Sequence, residues 1–428
     1  MNYQECLRYL ERVQNLGIKF GLDNVRTILE AFDNPHRQYP SVLVAGTNGK
    51  GSVCAFLTRL LTLHDYRVGL FTSPHLVRVE ERIRIGERPI PARSFSRVLT
   101  KLKEKIEDLI ETKVLLSPPT YFELLTCLGL IHFQEQEVDI AVLEVGLGGR
   151  FDATNVVDPV VAVVTTISAE HQKFLGETLE QIAFEKAGII KKGVPVVCGV
   201  KNRSAYLTIK KRADELGAPF LGVFEKRDCF SVNQEEKGYS FTYTSENDRY
   251  DFVPSLAGRH QGENAAVAVA AAEQVSQRWR NLNKEKIIQG IQSTRWDGRL
   301  EVFSRRPLVL LDGAHNEEGA EAVRDYARQF IPTPLILVFA VMKDKRIERI
   351  ADILFPLART VILTRFPFYK SASPEEIRTR IGKFRGRFLL EPSPKRAFRL
   401  ALQQAAAQEV ILVTGSLYLV GEIKKYYA

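Results

Sequence analysis

The sequence predicts an α/β protein, with a mostly parallel sheet in a larger N-terminal domain and a second, smaller α/β domain. Apolar runs of strand length, such as 140–145 and 160–165, show no alternation of polar and apolar residues. Such runs are typical of parallel strands that are covered on both faces. Segments with helical spacing separate the runs, as the connections of a parallel sheet require. A chain of 428 residues is long enough for about two or three domains.

The elements can be assigned in order along the chain. Apolar residues at helical spacing predict helices before the first strand. Strands are predicted at 41–45, 68–71, 140–145, 160–165 and 195–200, and later at 308–311, 335–339, 361–364, 388–390 and 410–413. The polar, alternating stretch 220–256 predicts a small antiparallel section, and an Ala-rich helix is predicted at 264–275. Trp296-Asp297-Gly298 interrupts the pattern, so we expect domains of residues 1–297 and 298–428.

Composition and charge exclude several classes of protein. With 60 Lys and Arg against 51 Asp and Glu, the net charge is +9 and the charges are interspersed, which fits a protein that binds anions. Because no block of five like charges occurs, we expect no nucleic-acid partner. No apolar stretch approaches the ~20 residues that span a bilayer, and the charged N-terminus lacks a secretory core. We therefore expect a cytoplasmic protein with no membrane partner.

A glycine-rich loop, Gly46-Thr47-Asn48-Gly49-Lys50-Gly51-Ser52, lies between a predicted strand and a predicted helix. Its glycines let backbone N–H groups approach phosphate oxygens, while the helix N-terminus and Lys50 add positive charge. The loop departs from the strict phosphate-loop pattern, since Gly51 rather than Ser or Thr follows the lysine. The alternative is a glycine-rich turn with an incidental lysine, but the flanking strand and helix favour nucleotide binding.

Two residues at strand ends suggest a metal site. Glu144 interrupts an otherwise apolar strand, and a buried carboxylate is costly unless it is paired or metal-bound. Parallel sheets bind ligands at this edge, and Mg²⁺ prefers oxygen ligands, so we expect Glu144 to bind Mg²⁺. The alternative for Glu144 is a pair with a neighbouring Lys or Arg. His171, just beyond the 160–167 strand, is either a metal ligand or a structural or surface residue.

The loop variant G-T-x-G-K-G-S resembles that of the Mur ligase superfamily and, within it, of the folylpolyglutamate synthase/dihydrofolate synthase family. Further segments resemble that family's motifs in order and spacing along nearly the whole chain. These segments are 19–22, 71–76, 81–83, 120–123, 143–155, 184–190, 258–264, 296–301, 312–316 and 415–418. The resemblance implies an N-terminal P-loop-containing ATPase domain and a smaller Rossmann-like C-terminal ligase domain.

The resemblance also implies a metal site with two Mg²⁺ ions. The family's ligands match Glu144, Ser73 and His171. It implies further that Lys186 is carbamylated, which turns a cation into a carboxylate-like ligand; the alternative is a solvated lysine. Carbamylation requires a neutral amine, and burial favours one by lowering the lysine pKa. The family usually has Asp before the histidine, whereas this chain has Glu170.

Nucleotide contacts are implied on both sides of the domain boundary. Arg299 matches an arginine that contacts ATP phosphate, which suits guanidinium geometry; the alternative is an interdomain ion pair. Asp312 matches a residue that the family uses on the nucleotide, and we expect His315 to help position phosphate or ribose. Asn264 matches an ATP contact, with helix capping as the alternative. A site divided in this way is complete only when the two domains close.

The resemblance implies a pterin-containing acid as acceptor and L-glutamate as the amine. The family's pterin site matches Lys19, Phe20, Gly21, Thr120, Tyr121, Phe122, Glu123, Phe151, Asp152 and Ala153. Aromatic rings at these positions suit the wall of a flat ring, although an ordinary core also uses them.

The expected function is ATP-dependent ligation of L-glutamate to reduced folates, and also to dihydropteroate, through an acyl phosphate. The expected catalytic residues are Lys50, Glu144, His171 and Lys186. The alternatives are another Mur-type amino-acid ligase and a non-catalytic nucleotide-binding regulator. We expect a monomer, because no apolar surface stripe stands out in the sequence.

Overall fold

The computed structural model describes residues 1–14, 17, 21–277, 282–382, 384 and 386–427. Within these ranges the strands form an eight-stranded, a three-stranded and a six-stranded sheet. The two larger sheets are parallel except at their edges, which confirms the predicted α/β class. None of the described helices is long and apolar enough to cross a membrane.

The first sheet has the order β4-β3-β2-β5-β1-β6-β7-β8 among the described residues. Its strands are β1 (Ser41–Ala45), β2 (Val68–Phe71), β3 (Ile83–Ile85), β4 (Arg88–Pro89), β5 (Ile140–Glu144), β6 (Val161–Val164), β7 (Val196–Cys198) and β8 (Phe220–Gly222). The helices of this part are α1 (Tyr3–Gln14), α2 (Asp23–Glu30), α3 (Lys50–Leu63), α4 (Ala92–Glu111), α5 (Tyr121–Glu135), α6 (Gln172–Leu175), α7 (Leu179–Ala187) and α8 (Arg203–Glu215). In this sheet β3 runs antiparallel to both of its neighbours, β2 and β4, and the other pairs of described strands are parallel.

Strand β1 explains why the first sheet reads as continuous apolar runs. Successive side chains of a strand point to opposite faces. Leu43 and Ala45 pack into one hydrophobic core, whereas Val42 and Val44 pack into a second core on the other face. Because both faces are covered, no position of the strand favours a polar residue.

A small antiparallel sheet follows, as the alternating stretch predicts, but it starts at Phe230 rather than at residue 220, because β8 pairs parallel with β7 in the first sheet. It consists of β9 (Phe230–Glu235), β10 (Gly238–Thr244) and β11 (Arg249–Phe252), followed by α9 (Arg259–Ser276) and α10 (Lys284–Ser293). Helix α9 begins earlier than predicted, because its polar first turn hides the start from an apolar pattern. Asn264 therefore lies within the helix, and the alternative of Asn264 as a helix cap is wrong.

The third sheet has the order β12-β13-β17-β14-β15-β16 among the described residues. Its strands are β12 (Glu301–Arg305), β13 (Leu308–Leu311), β14 (Leu335–Phe339), β15 (Ala358–Leu363), β16 (Arg387–Leu390) and β17 (Val410–Thr414). Its helices are α11 (Glu317–Phe330), α12 (Ile347–Leu354), α13 (Pro374–Arg380), α14 (Pro394–Gln404) and α15 (Leu417–Tyr427). The edge strand β12 pairs antiparallel with β13, and the sequence did not predict it.

Candidate active site

The glycine-rich loop connects the end of β1 to the start of α3. Gly46 and Gly49 have φ angles of 150° and 83°. A Cβ atom at Gly46 would collide with the side chain of Thr165, and one at Gly49 would collide with Asn264. Since Gly49 is the N-cap of α3, no side chain there caps the first turn. The N–H groups of that turn are therefore available to an anion.

Backbone and side-chain hydrogen bonds fix the shape of this loop. Lys50 Nζ donates to the carbonyl oxygens of Gly46 and Thr47 at 2.9 and 3.0 Å. The backbone N–H of Thr47 donates to Thr166 O at 2.8 Å, and that of Asn48 donates to Thr166 Oγ1 at 3.0 Å. The loop is therefore held against the segment that follows β6, with the Lys50 charge at its centre.

A cavity of about 270 Å³ opens above this loop, and we call it the phosphate-loop cavity. Among the predicted site residues, its lining includes Thr47, Asn48, Gly49, Lys50, Gly51, Ser52, Ser73, Glu144, His171, Asn264, Arg299, Asp312 and His315. The structure thus brings together residues that are far apart in sequence. They include Arg299, just before β12, and Asp312 and His315, just after β13.

Glu144 lies at the end of β5, beside the loop, and is 5% exposed. Its Oε2 atom accepts a hydrogen bond from the backbone N–H of Ser73 at 2.9 Å. Burial raises the pKa of Glu144, and the nearby Lys50 charge opposes that rise. A buried carboxylate in this setting is stabilised by a cation, which suits a magnesium ligand.

His171 and Lys186 approach the same place from α6 and α7. Burial lowers the pKa of His171 to about 4. The ring is therefore neutral at pH 7, as a metal ligand must be. Lys186 is buried, and its Nζ donates to Gly46 O at 2.8 Å. Burial, followed by the Lys50 charge, lowers the pKa of Lys186 to about 7. The alternative of a solvated Lys186 is therefore wrong.

The predicted metal ligands are few in number. No group of three His, Cys, Asp or Glu in the described part of the chain is arranged to hold a metal ion. The predicted set offers one carboxylate and one imidazole, together with the Ser73 hydroxyl and a modified Lys186. This set fits Mg²⁺, because Mg²⁺ takes few protein ligands and keeps several waters.

A second cavity of about 360 Å³ lies beside the first, and we call it the Phe122 cavity. From the predicted pterin site, its lining includes Gly21, Thr120, Phe122, Glu123, Phe151, Asp152 and Ala153. Lys19 and Phe20 lie outside the described residues. Tyr121 does not line this cavity; its ring centroid lies 5.4 Å from the Arg82 guanidinium.

Two carboxylates of the Phe122 cavity are held by local hydrogen bonds. Glu123 Oε2 accepts the N–H of Thr120 at 2.6 Å, as part of a capping box that begins α5. Asp152 accepts the backbone N–H groups of Leu147 and Thr154 at 2.9 and 3.0 Å. These bonds fix the orientation of both carboxylates toward the cavity.

The two cavities meet. Ser73, His171 and His315 line both of them. A group bound in the Phe122 cavity and a phosphate bound above the loop therefore reach the same point. Groups that must react with each other require such an arrangement.

Arg299, just before β12, and Asp312, just after β13, complete this region. Both oxygens of Asp312 accept backbone N–H groups, from Leu300 and Ala314, at 2.8 Å. Burial raises the pKa of Asp312, while the Arg299 charge lowers it. Arg299 forms no ion pair with any described carboxylate, so the alternative of an interdomain ion pair is not observed. Its charge faces the phosphate-loop cavity.

Sequence reasoning missed three hydrogen bonds between residues that follow strands of the first sheet and residues that follow strands of the third. Asn48 Nδ2 donates to Glu318 Oε2 at 2.5 Å, and Asn316 Nδ2 donates to Asn48 Oδ1 at 2.9 Å. Lys345 Nζ donates to Glu170 Oε1 at 2.7 Å. Burial acts to raise the pKa of Glu170, but the hydrogen bond and charge of His315 and the charge of Lys345 outweigh it. The pKa of Glu170 therefore lies well below its usual value. Only the unusual Glu170 gave any signal in the sequence.

Comparison with known proteins identifies the family. The Mur ligase middle domain family matches residues 92–272, and the Mur ligase glutamate ligase domain family matches residues 298–417. A dihydrofolate synthase/folylpolyglutamate synthase of Bacillus subtilis is 33% identical over 99% of this chain and 98% of its own length. This chain belongs to the folylpolyglutamate synthase/dihydrofolate synthase family.

Two further relatives agree with this assignment. The folylpolyglutamate synthase of Lacticaseibacillus casei is 34% identical over 99% of this chain and 98% of its own. A Mycobacterium tuberculosis folylpolyglutamate synthase, solved with ADP and AMPPCP, is 27% identical with a TM-score of 0.91 over 100% of this chain and 99% of that one. The resemblance stated from the motifs is confirmed, and the chain is a Mur-type ligase of this family.

Proposed function

We propose that this chain adds L-glutamate to reduced folates, and also to dihydropteroate, with ATP as the energy source. The observation that carries the proposal is the meeting of the phosphate-loop cavity and the Phe122 cavity at Ser73, His171 and His315. The nucleotides held by the Mycobacterium tuberculosis relative support ATP in the first cavity. The Bacillus subtilis relative, which is named for both activities, supports both acceptors.

The chemistry has two steps. A carboxylate oxygen of the acceptor attacks the γ-phosphorus of ATP, which releases ADP and leaves an acyl phosphate. The amine of glutamate then attacks the acyl carbon, and phosphate leaves as the amine loses a proton. Lys50, Arg299 and the N-terminus of α3 stabilise the charge that develops on the phosphoryl group. Closure of the two domains over the junction of the cavities would protect the acyl phosphate from water.

Glu144, Ser73, His171 and a carbamylated Lys186 would hold two Mg²⁺ ions beside the phosphates. The bound ions would supply further neutralisation of phosphate charge. Lys186 suits carbamylation because its buried amine is partly neutral near pH 7, and only a neutral amine attacks CO₂. In the unmodified state Lys186 instead supports Gly46 through its hydrogen bond.

We also propose the division into domains of residues 1–297 and 298–428. The first two sheets lie before this boundary and the third lies after it. Large apolar side chains exposed among the described residues are scattered, for example Leu116, Val253 and Tyr369, which supports a monomer. We further propose a cytoplasmic location, where ATP is available to the ligase.

An isotope experiment tests the acyl phosphate. The acceptor is prepared with ¹⁸O in its reacting carboxyl group and is incubated with ATP and glutamate. We expect one ¹⁸O atom in the released phosphate, because the bridging oxygen leaves with the phosphoryl group. Phosphate without ¹⁸O would contradict the mechanism. Glutamate transfer to a different acid alone would favour another Mur-type ligase, and nucleotide binding without turnover would favour a regulator.

A further inference from the structure

Arg82 is a buried cation that the mechanism above does not use. It follows the turn after β2 and is 6% exposed, yet it lines the Phe122 cavity. Its Nε donates to His75 Nδ1 at 2.9 Å, and its guanidinium lies 5.4 Å from the Tyr121 ring centroid. The backbone fixes its position, because Thr72 N–H donates to Arg82 O at 2.9 Å.

Arg82 has no ion-pair partner in the described structure, although its charge lowers the pKa of the nearby Glu144 without a direct contact between them. No described carboxylate forms an ion pair with it, and its terminal nitrogens have no hydrogen-bond acceptor among the described residues. His75 does not balance the charge, because a ring nitrogen that accepts a hydrogen bond carries no proton. A guanidinium has five N–H donors in a fork that matches a carboxylate. A buried cation left in this state is costly unless a ligand pairs with it.

The other charged groups of the cavity indicate where such a ligand lies. Glu123 and Asp152 are already held by backbone N–H groups. His315 and Lys345, which also line the cavity, belong to the third sheet's loops. Arg82 comes from the part of the chain that builds the first sheet: it directly precedes β3, and its guanidinium lies over Tyr121 at the start of α5. The acceptor is expected to bind in this part of the cavity.

We propose that Arg82 binds the non-reacting α-carboxylate of an acceptor that already carries a glutamyl residue. The inference rests on the proposed function and extends it to a specificity-determining contact. A glutamylated acceptor has two carboxylates: the γ-carboxylate that is activated and the α-carboxylate that must be held away from the phosphate. Dihydropteroate has only the reacting carboxylate. Arg82 therefore favours glutamylated acceptors and contributes little to the first ligation.

The test compares tetrahydrofolate with its analogue in which the α-carboxylate is a carboxamide. Both are assayed with wild-type enzyme and with the Arg82→Met and Arg82→Lys variants, with KM determined for acceptor, glutamate and ATP. We expect wild type to prefer the carboxylate by roughly 10- to 100-fold in kcat/KM, the usual range for a hydrogen bond to a charged group. Arg82→Met should abolish this preference, and Arg82→Lys should retain part of it.

Arg84→Met is the matched control. Arg84 lies two residues further on, stacks near Trp296 and donates to Glu81 O, but it does not line the Phe122 cavity. This variant should keep the preference for the α-carboxylate.

Several results would overturn the inference. One is an Arg82→Met variant in which kcat/KM falls equally for tetrahydrofolate and for its carboxamide analogue. Another is a variant in which only the KM for glutamate rises. The third is a wild-type enzyme with the same kcat/KM for the two acceptors. The last comparison needs no variant, so it decides the matter even if Arg82→Met fails to fold. A wild-type enzyme that ligates neither these acceptors nor dihydropteroate would instead contradict the proposed function itself.

Discussion

Glu170 Oε1 accepts a hydrogen bond from Lys345 Nζ at 2.7 Å, and this contact joins the loop after β6 to the loop after β14. Both side chains are only about one-tenth exposed, at 10% and 11%. His315 Nε2 lies 3.2 Å from the same oxygen. His315 lines both cavities. The Glu170 carboxylate therefore contacts both Lys345, which links the two sheets' loops, and a residue at the junction where the substrates are proposed to meet.

Glu170→Gln keeps the size of the side chain and removes its charge. Lys345 then remains buried without a counterion, which costs about 2 kcal/mol or more. We expect kcat/KM to fall by at least about 30-fold, because the closed arrangement becomes less stable. Steady-state kinetics measure this effect.

The control for this prediction is Glu107→Gln. Glu107 forms an ion pair with Lys103 on the exposed surface of α4, and such pairs contribute little to stability. This variant should be kinetically unchanged. Unaltered kinetics in Glu170→Gln would show that the pair with Lys345 plays no part in closure.

Lys50→Ala removes the charge at the centre of the phosphate loop. We expect kcat to fall by roughly 10²- to 10³-fold, as for the loss of a group that stabilises transition-state charge. Glu144→Ala should likewise lower kcat strongly, because it removes the buried carboxylate proposed to bind Mg²⁺. Circular dichroism should show that both variants remain folded, and Lys211→Ala on the exposed face of α8 serves as the control. Full ligation in both variants would contradict the site assignment.

Gly49→Ala tests the close packing of the loop. Gly49 and Gly193 have φ angles of 83° and 69°, but only at Gly49 would a Cβ atom collide with a neighbour, Asn264. We expect Gly49→Ala to weaken ATP binding by roughly tenfold or more. Gly193→Ala has the same backbone strain in open space and should retain binding. Isothermal titration with AMPPCP measures the affinity of both variants. An equal loss of AMPPCP affinity in the two variants would show that backbone strain, and not the collision with Asn264, causes the effect.

Lys186 should show a carbamate that depends on pH. Burial lowers the pKa of its amine to about 7, so the amine is protonated and unreactive below that pH and increasingly neutral above it. With ¹³C-bicarbonate, we expect a carbamate signal by ¹³C NMR that grows as the pH rises through 7. The signal should be absent from Lys186→Met. A wild-type spectrum without it would remove Lys186 from the set of metal ligands.

The sequence predicted the parallel strands well because each is an apolar run covered on both faces. It missed β3, β4, β8 and β12, which are only two to five residues long. Three of them, β4, β8 and β12, are edge strands. A strand at an edge needs only one partner, so its sequence carries little of the pattern that marks a buried strand. The early start of α9 was missed for the related reason that its first turn is polar.

The candidate site was predictable where one local motif carries several residues. The phosphate loop, Ser73 and Glu144 are adjacent in the structure because neighbouring parallel strands end at one edge. The pair of Glu170 and Lys345, by contrast, joins residues 175 positions apart. No local pattern links them, since their contact depends on how the two sheets pack. In the sequence, Arg82 stands out only as part of the 81–83 motif. The fold shows that it is buried and forms no ion pair with a described carboxylate.

The proposed activity is tested most directly by ATP-dependent incorporation of labelled L-glutamate, measured in parallel with dihydropteroate and with tetrahydrofolate as acceptor. We expect incorporation with both acceptors, with one ADP and one phosphate formed for each new amide bond. Incorporation with one acceptor alone would restrict the enzyme to that activity. ATP hydrolysis without glutamate transfer to either acceptor, or no turnover at all, would contradict the central claim.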